Sequence, residues 1–171
     1  EKVRPQRIMQ QSISVLTGLE IPSQWMPVTP EGGVIAKVPD PETGLLKSYI
    51  NIGSYTVLYE VDSDFVLDGT IYSQVYAAAA PWEGAETVEG DNYVIYRCPQ
   101  ELSERIYDVQ LAALAFVRIS PSYIAVYKMC GERSDFDDFV GIIGSASRKY
   151  AFQYDYQAVN AAVKTMDEVS Y

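Results

Sequence analysis

Apolar residues recur along this chain with two different spacings, and each spacing predicts one kind of secondary structure. Alternation of apolar and polar residues, or a short continuous apolar run, indicates a β-strand that buries one or both of its faces. These patterns predict strands at 34–38, 50–61, 71–76 and 93–97, and two more at 114–119 and 123–130 that are joined at 120–122.

The first two predicted strands are joined by the turn sequence PDPETG at 39–44, which predicts a hairpin. In the longer second strand Ile50 and Ile52 share one face, whereas the apolar residues after Gly53 fall on the other face: Tyr55, Val57, Tyr59 and Val61. A change of face at a glycine is typical of a β-bulge.

Apolar residues spaced three and four apart predict helices in four other places. They lie within 1–18 as an N-terminal helix or arm, at 100–111, after Ser134, and at 151–171 as a C-terminal helix. The stretch 100–130 as a whole is ambiguous, because its later residues have strong strand propensity. We therefore expect a helix near 100–111 and strands after it.

The helix after Ser134 opens with three aspartates, Asp135, Asp137 and Asp138, which raise the question of a metal site. Ser134 followed by Asp137 fits a capping box, and the carboxylates suit the positive end of a helix dipole. Consecutive helical positions splay around the axis, so we predict a capped helix rather than a cation site. The acidic segment 62–69 lacks the EF-hand glycine and predicts a polar turn.

Composition then narrows the class of protein. The 171 residues are 48% hydrophobic and suffice for one domain, with a sheet-and-helix core at 19–150 between the two terminal segments. The net charge of −10 repels phosphate backbones and anionic lipids, so no nucleic-acid partner is expected. No run of 18 apolar residues is present, so no transmembrane segment is predicted.

The inventory of reactive side chains is short. The sequence has no histidine, which removes the commonest general base and zinc ligand, and it has neither a P-loop nor a GxGxxG motif. We therefore predict no catalytic residues, no metal and no cofactor. The two cysteines, Cys98 and Cys130, leave two alternatives open, a disulfide or two buried free thiols.

Two stretches resemble a known family. LEIPSQWMPV at 19–28 is similar to the opening strand of Mog1/PsbP-like domains, and YIAVYKMCGERSDFDDFVGIIGSASRKY at 123–150 is similar to their ending. The resemblance implies an α+β fold, in which helices flank a curved antiparallel sheet. It also implies an accessory, binding or chaperone-like protein, often exported or lipid-anchored, and it supplies no catalytic residues.

The function expected from these observations is non-catalytic protein binding outside the cytoplasm, in the periplasm, on the cell surface or as a secreted protein. Fourteen tyrosines support it, because Tyr and Trp dominate binding hot spots. The predicted binding residues are Trp82, Tyr72, Tyr76, Glu83 and Trp25.

Two alternatives remain open. One is a small-ligand carrier with an apolar pocket between sheet and helix. The other is a glycosidase-type enzyme that uses two carboxylates, for which Glu83, Glu86 and Asp108 are the nominal supply.

Overall fold

A computed structural model describes residues 3–8, 21–28, 34–38, 42–43, 47–51, 56–76, 85–99, 105–106, 109–118 and 121–145. Ten strands and two short α-helices lie in these ranges. The strands are β1 Val3–Ile8, β2 Trp25–Pro27, β3 Val34–Lys37, β4 Ser48–Asn51, β5 Thr56–Val61, β6 Glu86–Glu89, β7 Tyr93–Arg97, β8 Arg105–Ile106, β9 Val109–Arg118 and β10 Tyr123–Cys130. The helices are α1 Ile71–Tyr76 and α2 Phe136–Gly144.

The strands form an antiparallel sheet in the order β2-β3-β4-β10-β9-β7-β6. β9 and β10 are the longest strands and form its centre, paired from Arg118 opposite Ile124 to Leu111 opposite Cys130. The predicted hairpin between the first two strands is confirmed by the antiparallel pairing of β3 with β4. The strands predicted at 93–97 and on either side of 120–122 are also present, as β7, β9 and β10.

The strand predicted at 50–61 is divided into β4 and β5, which pair with the same edge of β10. β5 lies along Tyr123–Ala125 of β10, and β4 lies along Lys128–Cys130. The bulge predicted at Gly53 falls outside the described residues. A bulge is present instead in β9, where Ala112 is the extra residue between the partners of Met129 and Cys130.

One face of the sheet packs against α2. Phe136, Phe139, Ile142 and Ile143 of this helix are buried in a cluster with strand residues that include Ile95, Ala113, Ala115 and Tyr127. The alanines of β9 leave room for the phenylalanines of the helix to lie close to the sheet, because small and large side chains interdigitate. The apolar stripe predicted after Ser134 is thus a packing stripe.

The opposite face holds a second cluster built on the alternate residues of the same strands. Val94 and Tyr96 of β7 and Leu114 and Phe116 of β9 belong to it, together with Ile71 of α1. Tyr96 contacts the ring of Phe116 edge to face at a centroid distance of 5.9 Å. The central strands are buried on both faces, which explains their nearly continuous apolar sequences.

The predicted fold class, an α+β fold in which helices flank the sheet, is wrong. The described part of the chain is mainly antiparallel sheet, and its helices contribute only six residues in α1 and nine in α2. The apolar spacing that suggested further helices belongs in part to strands. The helix predicted at 100–111 is contradicted where the structure describes it, because β8 and the start of β9 occupy 105–106 and 109–111.

At the N-terminus, where a helix or arm was predicted over 1–18, residues 3–8 form strand β1, which pairs antiparallel with β5. The remainder of that segment and the C-terminal helix predicted at 151–171 lie outside the described residues.

The strand predicted at 71–76 is the helix α1 instead. Asp68 accepts hydrogen bonds from the backbone N–H of Thr70 (2.9 Å) and from its hydroxyl, and the amide of Ile71 donates to the carbonyl oxygen of Asp68 (3.1 Å). These bonds turn the chain into a helix start. Ile71 and Val75, four residues apart, then both pack on the sheet.

Candidate functional site

The predicted binding residues do not form one described surface. Trp82 and Glu83 lie outside the described residues, and the side chain of Tyr76 is not described. Tyr72 is half-buried and contacts Tyr96 edge to face at 5.8 Å. Trp25 is 4% exposed and belongs to the core on the α2 face. It is therefore a structural side chain rather than a contact surface.

The structure describes one of the three acids considered for a glycosidase. Glu86 is an exposed residue of β6, paired with Arg97 at 3.3 Å. Glu83 and Asp108 fall outside the described residues, and the glycosidase-type enzyme stays a prediction.

Both cysteines are buried free thiols. Cys98 continues β7 and donates its backbone N–H to Ala112 of β9, whereas Cys130 of β10 is opposite Leu111 on the other side of β9. Two strand spacings place their Cα atoms about 10 Å apart, beyond disulfide reach. Of the two alternatives, the structure therefore has the free thiols. Burial raises the pKa of Cys130, which leaves that thiol protonated and unreactive at neutral pH.

Among the described residues, a concentrated group of charged side chains lies where β3 and β4 meet the start of α2. We name it the lysine–aspartate cluster; it comprises Trp25, Lys37, Ser48, Asp135 and Asp138. The Lys37 ammonium lies 2.8 Å from Asp135 Oδ1 and 3.4 Å from Asp138 Oδ2. Asp138 also accepts a hydrogen bond from the Trp25 indole at 2.9 Å. The indole N–H of a buried Trp thereby has its acceptor.

Asp135 is 2% exposed and accepts a second strong hydrogen bond, from the hydroxyl of Ser48 at 2.6 Å. Gly131 makes this approach feasible. Its φ is +130°, and a Cβ there would lie 2.6 Å from the Ser48 Cα. Glycine at this position allows the chain after β10 to pass close to β4. As a result, the amide of Glu132 donates to Ser48 Oγ at 3.0 Å.

The predicted capping box at Ser134 is not formed. A 3-10 turn at Arg133–Asp135 precedes α2, and the Ser134 hydroxyl donates to the carboxylate of Glu132 at 3.3 Å. Asp135 occupies the N-cap position, but its carboxylate makes no capping hydrogen bond. The carboxylate points to Lys37 instead, because a buried ammonium without a counter-ion costs more free energy than a helix N-terminus without a side-chain cap.

The electrostatics of the pair keep both groups charged. Desolvation alone raises the pKa of Asp135, but the hydrogen bonds from Lys37 and Ser48 and the charges of Lys37 and Lys47 outweigh it and lower the pKa. The hydrogen bond to Asp135 raises the pKa of Lys37 against an opposing desolvation. A lysine held as ammonium is neither a nucleophile nor a general base. The role of the cluster is structural, because its contacts join α2 to the β3–β4 hairpin.

The pH dependence of stability follows from these directions. The folded pKa of Asp135 lies below its ordinary value of 3.8, so its contribution is present above that value and is lost as pH falls through the folded pKa. We expect the wild type to lose stability below about pH 4 more steeply than a pair-replaced variant, Lys37→Met with Asp135→Asn. Urea unfolding across acidic pH measures this; equal slopes would contradict it.

A second feature is the acidic loop, residues 62–69, on the opposite side of the sheet from α2. Val66 at its tip is 70% exposed, whereas its neighbour Phe65 is 9% exposed and packs in the core. Asp62 and Asp64 are exposed. Hydrogen bonds from Thr70 lower the pKa of Asp68, which keeps this carboxylate ionised. The segment is a polar turn, as the sequence predicts, and of its three large apolar side chains, Phe65, Val66 and Leu67, Val66 is the exposed one.

Arg118 at the end of β9 holds the acidic loop in place. Its guanidinium donates to the carbonyl oxygens of Asp62 (3.1 Å) and Phe65, and also to that of Pro121 (2.8 Å). Phe65 donates its own amide to the Asp62 carbonyl at 3.0 Å. These hydrogen bonds from one planar guanidinium to main-chain carbonyls fix the conformation of the loop.

Between the acidic loop and α1 lies a cleft of about 330 Å³ lined by Asp62, Asp64, Phe65, Val66, Asp68 and Gln74. Three of its six lining residues are aspartates, so it does not match the apolar pocket between sheet and helix that a carrier was expected to have. The described residues contain no group of three Cys, Asp or Glu side chains arranged to hold a metal ion. The carrier stays a prediction.

The chain matches no protein-family model and no curated protein. The Mog1/PsbP-like resemblance therefore stays a prediction. None of the described helices has the length and apolar character needed to cross a membrane.

Proposed function

We propose that this chain is a non-catalytic protein-binding domain whose acidic loop docks on a basic, partly aliphatic surface of a partner protein. The observation that carries the proposal is Val66, a large apolar side chain that is 70% exposed on a loop fixed by Arg118. A single exposed valine is ordinary on a protein surface. Its place at the centre of a pre-formed acidic loop is what supports a contact role.

Binding would gain from both properties of the loop. Complete burial of a valine side chain contributes about 1.5–3 kcal/mol. Because the main chain of the loop is already fixed, little conformational entropy remains to be lost when a partner arrives. Anchors of this kind dominate interfaces, and the polar groups around them exclude water and set orientation.

The charge of the loop selects the partner. Asp62, Asp64 and Asp68 surround Val66 in sequence, and the whole chain carries a net charge of −10. Glu89 of β6 adds another carboxylate close by, because its Oε1 lies against Gly69. Such a surface attracts and orients Lys- and Arg-rich partners, and it does so more strongly at low salt.

The lysine–aspartate cluster supports the non-catalytic part of the proposal. Its two best-buried charged groups, Lys37 and Asp135, are directed at each other and are both held ionised. General acid–base catalysis instead uses groups whose pKa is tuned toward the working pH.

The test begins with selection of short random displayed peptides on the wild-type protein, followed by affinity measurement of the enriched peptides by fluorescence anisotropy. We expect enriched sequences that combine Lys or Arg with aliphatic residues. Val66→Ser should weaken their binding about tenfold, the equivalent of about 1.4 kcal/mol of lost apolar burial.

Matched controls separate the loop from general electrostatics. Val28→Ser removes another exposed valine, which lies next to β2 at the opposite end of the strand order from β6. This substitution should leave affinity unchanged. Asp64→Asn should weaken binding and its salt dependence, whereas Asp137→Asn removes the same charge from the exposed side of α2 and should not. Peptides without basic residues, or equal binding to wild type and Val66→Ser, would overturn the proposal.

A surface around Trp82, and a location outside the cytoplasm, stay predictions. Trp82→Ala in the same assay separates the two candidate surfaces, because the acidic-loop proposal expects it to bind the selected peptides as the wild type does.

A further inference from the structure

Strand β6 is an edge of the sheet. It pairs with β7 from Glu86 opposite Arg97 to Glu89 opposite Val94, and no other described strand lies beside it. Three of its four side chains are exposed, and Val88 is the one that packs toward the core. An edge of this kind offers unpaired backbone groups to an additional strand.

The hairpin geometry shows which backbone groups face outward. The amide of Gly90 donates to the carbonyl of Tyr93 at 2.9 Å, so these two residues form a hydrogen-bonded pair that closes the turn. Hydrogen-bonded and non-hydrogen-bonded pairs alternate along an antiparallel ladder. Val88 and Glu86 therefore bond to β7, whereas the N–H and C=O groups of Thr87 and Glu89 point away from it.

This edge is continuous with the acidic loop. An added Cβ on Gly69 would lie 2.4 Å from Glu89 Oε1 and 3.8 Å from Thr87 Cγ2, so the loop and the edge strand are in contact. The Tyr96 hydroxyl fixes their arrangement by donating to the Gly69 carbonyl at 2.7 Å. The charges of Asp68 and Glu89 both reach that hydroxyl and contribute to raising the pKa of Tyr96, after the larger effect of burial.

We infer that an extended, basic segment of the partner adds to β6 as a further strand of the sheet, hydrogen-bonded to Thr87 and Glu89. This inference rests on the proposed function and specifies how the partner is held. Glu86 and Glu89 fall on opposite faces of β6, so the added strand would carry Lys or Arg on both of its faces. A second copy of this chain fits poorly, because two β6 strands would bring four glutamates together.

The decisive variant is Thr87→Pro, with Thr87→Val as its matched control. Proline removes the outward-facing N–H, and edge strands tolerate it where that N–H does not belong to the existing ladder. Valine keeps the N–H and changes only the side chain. Preserved amide signals of Val88 and Ile95 in NMR spectra would show that the β6–β7 pairing is intact in each variant.

The probes are a synthetic peptide of Lys-Lys-Val-Val repeats, which carries lysine on both faces when it is extended, and the same peptide N-methylated at every residue. N-methylation keeps the charge and side chains but removes the donors that an added strand needs. We expect the unmodified peptide to bind the wild type and the Thr87→Val variant equally. Thr87→Pro, or methylation of the peptide, should weaken binding about tenfold or more. The Thr87 and Glu89 amides should become protected from hydrogen exchange on binding.

The outcomes separate the two proposals. Equal binding of both peptides to wild type and Thr87→Pro, with binding still weakened by Val66→Ser, would overturn strand addition and leave docking on the acidic loop in place. Binding of the unmodified peptide that is insensitive to both Val66→Ser and Thr87→Pro would overturn both proposals. Loss on Thr87→Pro and on methylation, with Thr87→Val unaffected, would support strand addition.

Discussion

Replacement of Asp135 by alanine is expected to lower the free energy of unfolding by about 3–5 kcal/mol, the usual cost of removing one partner of a buried ion pair. Asp135 is 2% exposed and lies 2.8 Å from the Lys37 ammonium, which is itself 14% exposed. Without this carboxylate, Lys37 keeps a weaker contact with Asp138 at 3.4 Å, and the Ser48 hydroxyl loses its acceptor.

The loss should come from an uncompensated charge rather than from the absence of an attraction. Replacing both partners of a buried pair is often nearly neutral, because the desolvation cost disappears with the attraction. The pair-replaced variant, Lys37→Met with Asp135→Asn, is therefore expected to recover most of the stability that Asp135→Ala loses. A strong coupling between positions 37 and 135 in a double-mutant cycle would express the same result.

Urea unfolding followed by circular dichroism measures each free energy. Asp137→Ala is the matched control, because Asp137 is exposed in the first turn of α2, two residues after Asp135, and should change stability by less than about 0.5 kcal/mol. If Asp135→Ala proves no more destabilising than Asp137→Ala, the lysine–aspartate cluster does not hold α2 as described.

Strand positions in this chain follow from sequence where the apolar pattern has one interpretation. β3 and β7 are short, apolar and bounded by turn residues, and a helix of that length would be improbable. β9 shows the opposite case. It is buried on both faces, so apolar residues occupy nearly every position, and a helical stripe can be selected from it as easily as an alternating one.

The strand prediction at 71–76 fails for a local reason. As a strand its six residues would place Ile71, Ser73 and Val75 on one face and Tyr72, Gln74 and Tyr76 on the other, and tyrosine and valine favour strands by propensity. The deciding signal was the Asp68-Gly69-Thr70 sequence before it, where the Asp68 carboxylate takes the Thr70 amide and hydroxyl. Helix-start chemistry outweighed propensity here.

Part of the lysine–aspartate cluster can be predicted from the sequence. Lys37 follows Ile35 by two residues, so a strand that buries Ile35 directs Lys37 to the same face. A buried lysine requires a carboxylate partner, and one short segment later in the chain contains three aspartates, at 135, 137 and 138. The pairing of Lys37 with Asp135 needs the register of β3, β4 and β10, which no local pattern supplies.

The proposed binding surface lies apart from the lysine–aspartate cluster. The α2 face is closed by the helix and the lysine–aspartate cluster, whereas β6 and the acidic loop lie at the other end of the strand order from β2. The proposed function therefore assigns stability and recognition to different parts of one sheet. Substitutions in the cluster should change unfolding, and substitutions at Val66 or Thr87 should change binding with little effect on unfolding.

The largest effect in the apolar core is expected for Phe139→Ala, with a loss of about 3–5 kcal/mol in the free energy of unfolding. Phe139 is 0% exposed and is one of the largest fully buried side chains of the described residues. It packs in the cluster that includes Ala113 and Ala115 of β9. These alanines have no side-chain length with which to fill the resulting cavity, and close-packed cores relax only in part.

Thermal unfolding should show the loss as a drop in Tm of roughly 6–20 °C for a chain of this size. Gly141→Ala is the matched control on the same helix, because a Cβ there meets nothing within 4 Å. Alanine replaces a helical glycine, so stability should rise by about 0.5–1 kcal/mol. A small loss for Phe139→Ala together with a gain for Gly141→Ala would mean that α2 is stabilised by its own helix propensity and not by its contact with the sheet.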